Sequence, residues 1–269
     1  MGSRGHITFL LGKPAKPDSM IAGVIERAHH HWPTIILHQP QPDLPLPESI
    51  FESDMIVQRG LSRDNLNTLQ SLEDAGVRCI NRITATIDCA DRWALMSTLN
   101  AAGIPIPETR IIDTWHELLE YANGSPCVVK ALDGEVGRGS GVLISADGVL
   151  PNSEPFSGPF IAQEYLAGNA TVTKVYIAGN EMRGLVKRSM VAQEVDESFA
   201  ALFEVSDELR KLSQSVAEAL SLDIFGVDYL DGPMGPTVID VNPFPGFRGI
   251  PDAVKIISRH ILDEAREKV

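Results

Sequence analysis

The sequence predicts an α/β protein in which a parallel sheet flanked by helices is followed by antiparallel hairpins that have helices of their own. Residues 6–80 alternate strand-like apolar runs with segments of helical periodicity, which is the pattern of a parallel sheet. Beyond about residue 125 the strand-like runs are joined by short turns, as in antiparallel hairpins. We therefore expect an N-terminal α/β segment followed by α+β structure.

The first part of the chain is predicted to contain four strands and two helices. The strands are expected at residues 6–12, 34–38, 54–58 and 78–80, and the helices at 19–31 and 61–75. The proline-rich run QPQPDLPLP suits neither element. It is predicted to be a surface connection, with peptide recognition as the alternative.

Turn signals define the elements of the remaining chain. A helix is expected from Asp88 to the stop at Gly103. Strands are expected at SPCVVKAL and VLIS on either side of a glycine-rich loop, at GPFIAQEYL, and in the hairpin TVTKVYIAGNEMRGLVKR. The prediction is completed by an amphipathic helix over SDELRKLSQSVAEALSL, strands at 224–230 and 237–241, and a last helix over 251–267.

Composition narrows the class of protein. Of the 269 residues, 43% are hydrophobic and 22% charged, which is ordinary for a soluble globular protein. The formal charge of −13 argues against a nucleic-acid partner, because binding to a phosphate backbone needs a basic surface. No apolar run approaches the roughly 18 residues of a membrane span, and the run at 7–12 is too short for a signal peptide. Three widely spaced cysteines form no disulfide or zinc pattern, so we expect a cytoplasmic protein.

Acidic and amide side chains follow one another near the C-terminus in FGVDYL and VIDVNPFPGFRG. Asp240 and Asn242 face the same side of a predicted strand, and the hairpin brings Asp228 beside them. Two carboxylates among apolar residues are costly unless a cation compensates them. Magnesium suits such a site and leaves positions for phosphate oxygens, so the trio predicts a magnesium site completed by a nucleotide. Scattered polar residues at a solvated hairpin end are the alternative.

A glycine-rich loop, DGEVGRGSG, follows the strand that ends near Lys130. Its glycines leave backbone amides for a phosphate, and Lys130 supplies a cation. The glycines concerned are Gly134, Gly137, Gly139 and Gly141. A flexible hairpin loop is the alternative.

Two further segments carry weaker signals. A strand end with an acidic, an aromatic and an aliphatic residue suits adenine, whose edge meets backbone groups while apolar side chains cover its faces. This segment consists of Gln163, Glu164, Tyr165 and Leu166. On the following hairpin, Lys174, Lys187 and Arg188 are predicted to bind phosphates or a substrate carboxylate, or else to be solvated.

Taken in chain order, these segments resemble the ATP-grasp superfamily, in the branch of RimK-type glutamate ligases and inositol trisphosphate 5/6-kinases. The similarity covers residues 79–261. It implies an ATP-grasp fold in which two α+β domains, expected over residues 87–162 and 163–269, clamp ATP behind an N-terminal α/β domain over residues 1–86. The implied cofactors are ATP and Mg²⁺ or Mn²⁺.

The resemblance also implies a role for each matched residue. Lys130 would bind an ATP phosphate under the loop at 134–141, and Glu164 and Leu166 would lie at the adenine. Arg188 would steady the transferred phosphoryl group. The implied metal ligands are Asp228, Asp240 and Asn242. Arg92 stands where RimK-like proteins usually have a lysine.

The leading functional hypothesis is an ATP-dependent ligase that joins the carboxylate of a small molecule or peptide to an amino acid amine through an acylphosphate. A small-molecule kinase of the inositol phosphate type is the first alternative, and a nucleotide-binding protein without catalysis is the second. We favour the ligase over the kinase because a polyanionic substrate needs a densely cationic pocket, which a chain with a net charge of −13 is less suited to provide. Whether the protein forms a homo-oligomer is left open.

Overall fold

A computed structural model of the protein describes residues 5–38, 47–132, 141–168, 171–188 and 200–267. In chain order the strands are β1 (His6–Leu11), β2 (Thr34–His38), β3 (Ser53–Arg59), β4 (Arg78–Ile80), β5 (Thr109–Ile112), β6 (Cys127–Ala131), β7 (Val142–Ser145), β8 (Phe160–Glu164), β9 (Thr171–Ala178), β10 (Glu181–Arg188), β11 (Ala200–Phe203), β12 (Ile224–Gly232) and β13 (Gly235–Pro243). The helices are α1 (Met20–His29), α2 (Arg63–Asp74), α3 (Ile83–Ala90), α4 (Arg92–Ala101), α5 (Trp115–Ala122), α6 (Asp207–Leu220) and α7 (Ala253–Glu267), and a short 3-10 helix spans Glu48–Glu52.

The first four strands form the predicted parallel sheet, in the order β2-β1-β3-β4. On one face, Phe9 of β1 shares a core with Val24 of α1 and with Ile257 and Ile261 of α7. The other face packs against α2 through a separate cluster that includes Leu10. The last helix of the chain therefore covers the N-terminal sheet.

The C-terminal strands form a five-stranded antiparallel sheet in the order β11-β10-β9-β12-β13. Its central strand β9 is buried on both faces, because successive side chains point to opposite sides. Tyr176 and Ala178 lie in the core shared with α7, whereas Val175 and Ile177 lie in a second core with α3, α4 and α6. The continuous apolar run in β9 follows from this double burial.

The third sheet is antiparallel as well, in the order β5-β8-β6-β7. Helix α5 covers one face, where Trp115 meets Phe160 edge-on with the ring centroids 5.3 Å apart. This sheet has a core of its own, so it is a separate packing unit beside the C-terminal sheet.

Helix α3 and the break before α4 depart from the single helix predicted from Asp88. Asp91 ends α3 and caps α4, with extended backbone angles and an Oδ1 atom that accepts from the amides of Trp93 (3.0 Å) and Ala94 (2.9 Å). An N-cap residue must leave helical geometry, so one continuous helix is impossible here.

The elements β5, α5 and β11 and the 3-10 helix at Glu48–Glu52 were not predicted either. Helix α5 begins with a capping box in which the side chains of Thr114 and Glu117 bind each other's backbone amides. The sequence TWHE carries this signature. Strand β11 pairs with β10 at the sheet edge and has mostly exposed side chains, so it shows little of the apolar alternation that marks a strand.

Several predictions fall outside the described residues. They concern most of the proline-rich run and Gly134, Gly137 and Gly139 of the glycine-rich loop. The division of the chain at residues 86 and 162 stays a prediction. Within the described ranges, no helix is both long and apolar enough to cross a membrane.

Candidate active site

Two carboxylates and a carboxamide meet on the paired strands β12 and β13. Asp228 lies opposite Asp240 in the register, and the ladder shifts immediately after Asp228. Asn242 donates from Nδ2 to Oδ2 of Asp240 over 2.8 Å. The hairpin therefore brings together the three side chains that were predicted to bind a metal.

The electrostatics of this trio favour a further cation. Asp228 Oδ1 lies 2.6 Å from Lys174 Nζ, and its side chain is only 16% exposed. Burial raises the pKa of Asp228 from 3.8 to about 6, Lys174 opposes this change and Asp240 adds to it. Lys174 and Lys187 both favour ionised Asp228, but burial outweighs them, so a divalent cation would further stabilise the ionised carboxylate.

A divalent metal ion fits this donor set, because hard oxygen atoms from two carboxylates and a carboxamide suit magnesium. In the part of the chain that the structure describes, no group of three His, Cys, Asp or Glu side chains is arranged to hold a metal. The remaining ligands would have to come from water or from a bound substrate.

Lys130 projects from β6 towards the same place. Its Nζ donates to the carbonyl oxygen of Ile239 on β13 over 3.2 Å. Burial lowers the pKa of Lys130, while the nearby Asp240 opposes that change. A partly buried ammonium group beside two carboxylates is placed to meet an anionic ligand.

A cavity of about 280 Å³ lies between the β6–β7 hairpin and the C-terminal sheet. Its walls are mainly apolar side chains, including Val128, Ile144 and Leu230. The predicted adenine segment contributes all four of its residues, Gln163, Glu164, Tyr165 and Leu166. Gln163 is buried and donates to Thr109 Oγ1 over 2.9 Å, which fixes this strand end.

A larger cavity of about 650 Å³ lies between the N-terminal sheet and the C-terminal sheet. Its cationic lining residues are Arg59, Arg92, Lys174, Lys187 and Arg248. Burial lowers the pKa of Lys187, and the positive charges of Lys174 and Arg248 lower it further. Such crowding of like charges favours an anionic ligand, although the whole chain is strongly acidic.

Four residues, Arg92, Val142, Asp228 and Asp240, line both cavities. The carboxylates thus form a wall shared by an apolar cavity and a cationic one. Cys89 also lines the larger cavity, where burial and neighbouring carboxylates raise the pKa of its thiol to about 12. A thiol that stays protonated is a poor nucleophile.

Not every predicted site residue lies at this wall. Arg188 is exposed at the end of β10 and is not among the residues that line either cavity. Lys174 pairs with Asp228 and lines the larger cavity. Gly141 accepts at its carbonyl from the amide of Ala131 over 2.7 Å and has φ = 72°, which suits glycine.

The larger cavity includes residues that sequence reasoning did not identify. Arg59 ends β3, and its Nε donates to the carbonyl of Phe244 over 3.3 Å. Phe244 and Phe247 adopt positive φ angles of 41° and 47°, which is unusual for bulky side chains and typical of functional loops. Arg59 could have been identified from the sequence, because it lies at the carboxyl end of a predicted parallel strand, where ligands often bind.

The same architecture occurs in solved structures. The chain matches a RimK domain ATP-grasp protein from Sphaerobacter thermophilus with a TM-score of 0.70 and 20% identity, covering 95% of this chain and 99% of that one. It matches the D-alanine–D-alanine ligase of Bacillus anthracis with a TM-score of 0.68 and 18% identity, covering 98% and 97% of the two chains. The fold is therefore an ATP-grasp fold, as predicted.

The family model of the RimK-like ATP-grasp domain matches residues 89–264, so the chain belongs to that family. Curated relatives include probable alpha-L-glutamate ligases from Saccharophagus degradans and Aliivibrio fischeri, each 28% identical over 200 and 235 residues. These matches cover 69% and 80% of this chain and 65% and 77% of the respective relatives. The predicted family is thereby confirmed.

Proposed function

We propose that the protein is an ATP-dependent carboxylate–amine ligase. The observation that carries this proposal is the pair Asp228 and Asp240, which stands between an apolar cavity and a cationic one. Relatives in the family bear ligase names, which supports a ligase over a kinase. The cytoplasm supplies ATP and is the compartment that we propose.

In this proposal ATP occupies the smaller cavity. The segment 163–166 would meet the adenine, and Lys130 would bind a phosphate. A related ATP-grasp ligase, PsnB, has been solved with magnesium and ADP. Asp228, Asp240 and Asn242 would hold the metal, which when bound neutralises charge on the transferred phosphoryl group.

The acceptor carboxylate would bind in the larger cavity. Its oxygen attacks the γ-phosphorus of ATP, the bond to the β-phosphate oxygen breaks, and ADP leaves. The amine nitrogen then attacks the acyl carbon, inorganic phosphate leaves with the bonding pair, and the amine loses a proton. Neither of these two steps needs a nucleophile from the enzyme. The protein therefore acts by positioning the reactants and by electrostatic stabilisation.

The cations of the larger cavity would orient the acceptor. Lys187 and Arg248 lie near one another on β10 and in the loop after β13. We propose that they bind carboxylate groups of a small molecule or a peptide. The structurally similar ligase PsnB has been solved with a precursor peptide, so the proposal includes a peptide as the acceptor. We also propose that Arg188 contacts the transferred phosphoryl group when ATP and the acceptor are both bound.

Hydroxylamine trapping tests the proposal directly. Purified protein is incubated with ATP, Mg²⁺ and pools of amino acids and short acidic peptides, and hydroxamate and ADP are measured. We expect equal amounts of hydroxamate and ADP, because hydroxylamine captures an acylphosphate. Inositol phosphates assayed in parallel test the kinase alternative, and phosphorylated inositol without hydroxamate would overturn the ligase proposal.

A further inference from the structure

Arg92 donates to the backbone at the base of the β6–β7 hairpin. Its Nη1 donates to the carbonyl of Ala131 over 2.6 Å and lies 3.5 Å from the carbonyl of Gly141. The amide of Ala131 in turn donates to the same Gly141 carbonyl over 2.7 Å. One guanidinium group therefore meets both backbone carbonyls at the base of the β6–β7 hairpin.

These contacts connect two packing units. Arg92 begins α4, and the apolar side of that helix, including Leu95 and Leu99, belongs to the core beneath the C-terminal sheet. Ala131 ends β6, which belongs to the sheet covered by α5. The guanidinium group thus bridges the C-terminal core and the neighbouring sheet.

Lys130 crosses the same boundary in the opposite direction. It precedes Ala131 in β6 and donates to the carbonyl of Ile239 on β13. Holding the carbonyl of Ala131 fixes the backbone that carries the Lys130 side chain. A shift of about 1 Å in such a group can cost on the order of a hundredfold in rate.

We propose that Arg92 is a positioning residue that anchors the base of the β6–β7 hairpin to α4 and thereby aligns Lys130 with the carboxylate wall. The anchoring itself is independent of the reaction, whereas its effect on turnover rests on the proposed ligase function. Both contacts come from Nη1, which the planar guanidinium group holds at a fixed distance and angle from the rest of the side chain. An ammonium group supplies the charge without that geometry.

Two substitutions separate anchoring from charge. Arg92→Lys keeps the charge and loses the planar set of donors, and Arg92→Met loses both. We expect both variants to speed amide hydrogen exchange at residues 127–131 in the ligand-free protein, with unchanged exchange in α5. We also expect both to lower kcat about tenfold while the KM for ATP changes less than twofold.

Arg110→Lys is the matched control, because it removes a guanidinium group that binds Glu108 on the exposed surface of the same sheet. It should leave exchange at residues 127–131 and turnover unchanged. The proposal is overturned if Arg92→Lys matches wild type while only Arg92→Met is impaired, because Arg92 would then act through its charge.

Hydrogen exchange keeps the two proposals distinguishable. If no acceptor supports turnover but both Arg92 variants loosen residues 127–131, the ligase proposal fails and the anchoring stands. If Arg92→Met does not fold, as judged by circular dichroism, Arg92→Lys decides alone. Wild-type exchange rates in Arg92→Lys refute the anchoring.

Discussion

At the scale of single residues, the candidate site depends on how much positive charge faces two adjacent carboxylates. Lys174 contacts Asp228, whereas Asp240 is hydrogen-bonded by the neutral amide of Asn242. Lys187 and Lys130 add positive charge nearby, and a divalent cation would bind the carboxylate oxygens directly. Asp240 and Asn242 were found from their spacing alone, since side chains two residues apart on a strand share a face.

Asp240→Asn should therefore abolish magnesium-dependent turnover. The substitution keeps the shape and one oxygen atom but removes the charge, so we expect a loss of at least a hundredfold in kcat/KM with little change in the free energy of unfolding. Steady-state kinetics at varied Mg²⁺ provide the measurement. Asp231→Asn, an exposed position on the same hairpin, is the control, and retained activity in Asp240→Asn would contradict the metal assignment.

The raised pKa of Asp228 predicts a pH dependence of stability. The folded-state pKa of about 6 lies above the ordinary value of 3.8, because burial disfavours the ionised carboxylate. Protonated Asp228 therefore contributes stability that is fully present below pH 3.8 and is lost as the pH rises through about 6.

Urea unfolding between pH 5 and 7 tests this dependence. In metal-free buffer, the free energy of unfolding of wild type relative to Asp228→Asn should fall as the pH rises. Added Mg²⁺ should weaken the trend, because it favours the ionised carboxylate. A difference that is independent of pH would refute the raised pKa.

At the scale of elements, a buried side-chain amide helps to fix strand β12 to the N-terminal sheet. Asn81 follows β4, donates from Nδ2 to the carbonyl of Ile224 over 2.7 Å, and accepts at Oδ1 from the amides of Asp223 (2.9 Å) and Ile224 (2.6 Å). Its side chain is fully buried. These bonds hold the start of the strand that carries Asp228.

Asn81→Ala should lower the free energy of unfolding by about 2–4 kcal/mol, because it leaves buried backbone groups unpaired. Chemical denaturation measures this loss. Asn67→Ala, on the exposed side of α2, should change stability by less than about 0.5 kcal/mol. Equal stabilities of the two variants would show that the Asn81 contacts are dispensable.

Most elements could be predicted because their signals are local. Helix α6 has a serine N-cap and an apolar stripe, and the β9–β10 hairpin has a tight turn between apolar runs. Strand β11 and the contact of Arg59 with Phe244 could not be predicted, because both depend on partners distant in sequence. The capping box at the start of α5 is recognisable in the sequence, so this helix could have been predicted. It was missed because it is short and lies between elements with clearer sequence patterns.

At the scale of the whole molecule, the candidate site joins all three sheets. Arg59 comes from the N-terminal sheet, Lys130 from the sheet covered by α5, and Asp228 from the C-terminal sheet. Binding of a nucleotide and metal at such a junction should stabilise the folded chain as a unit, since each ligand binds the native state alone.

A nonhydrolysable ATP analogue should therefore raise the Tm in a magnesium-dependent way. At a ligand concentration of 100 times the Kd, the added stability is about 2.7 kcal/mol, which corresponds to several degrees for a chain of this size. Differential scanning fluorimetry with Mg²⁺ and with EDTA provides the comparison. Asp240→Asn should lose the magnesium-dependent part, and an equal rise in EDTA would contradict the shared metal.

The common wall of the two cavities also has a pharmacological consequence. Because the same two carboxylates face both compartments, one compound that joins adenosine diphosphate to an acyl mimic could fill them together. Such a bisubstrate inhibitor would gain from the high effective concentration of its second half once the first is bound. Its affinity would exceed that of either fragment, and its preferred linker length would report the spacing between the two substrates during catalysis.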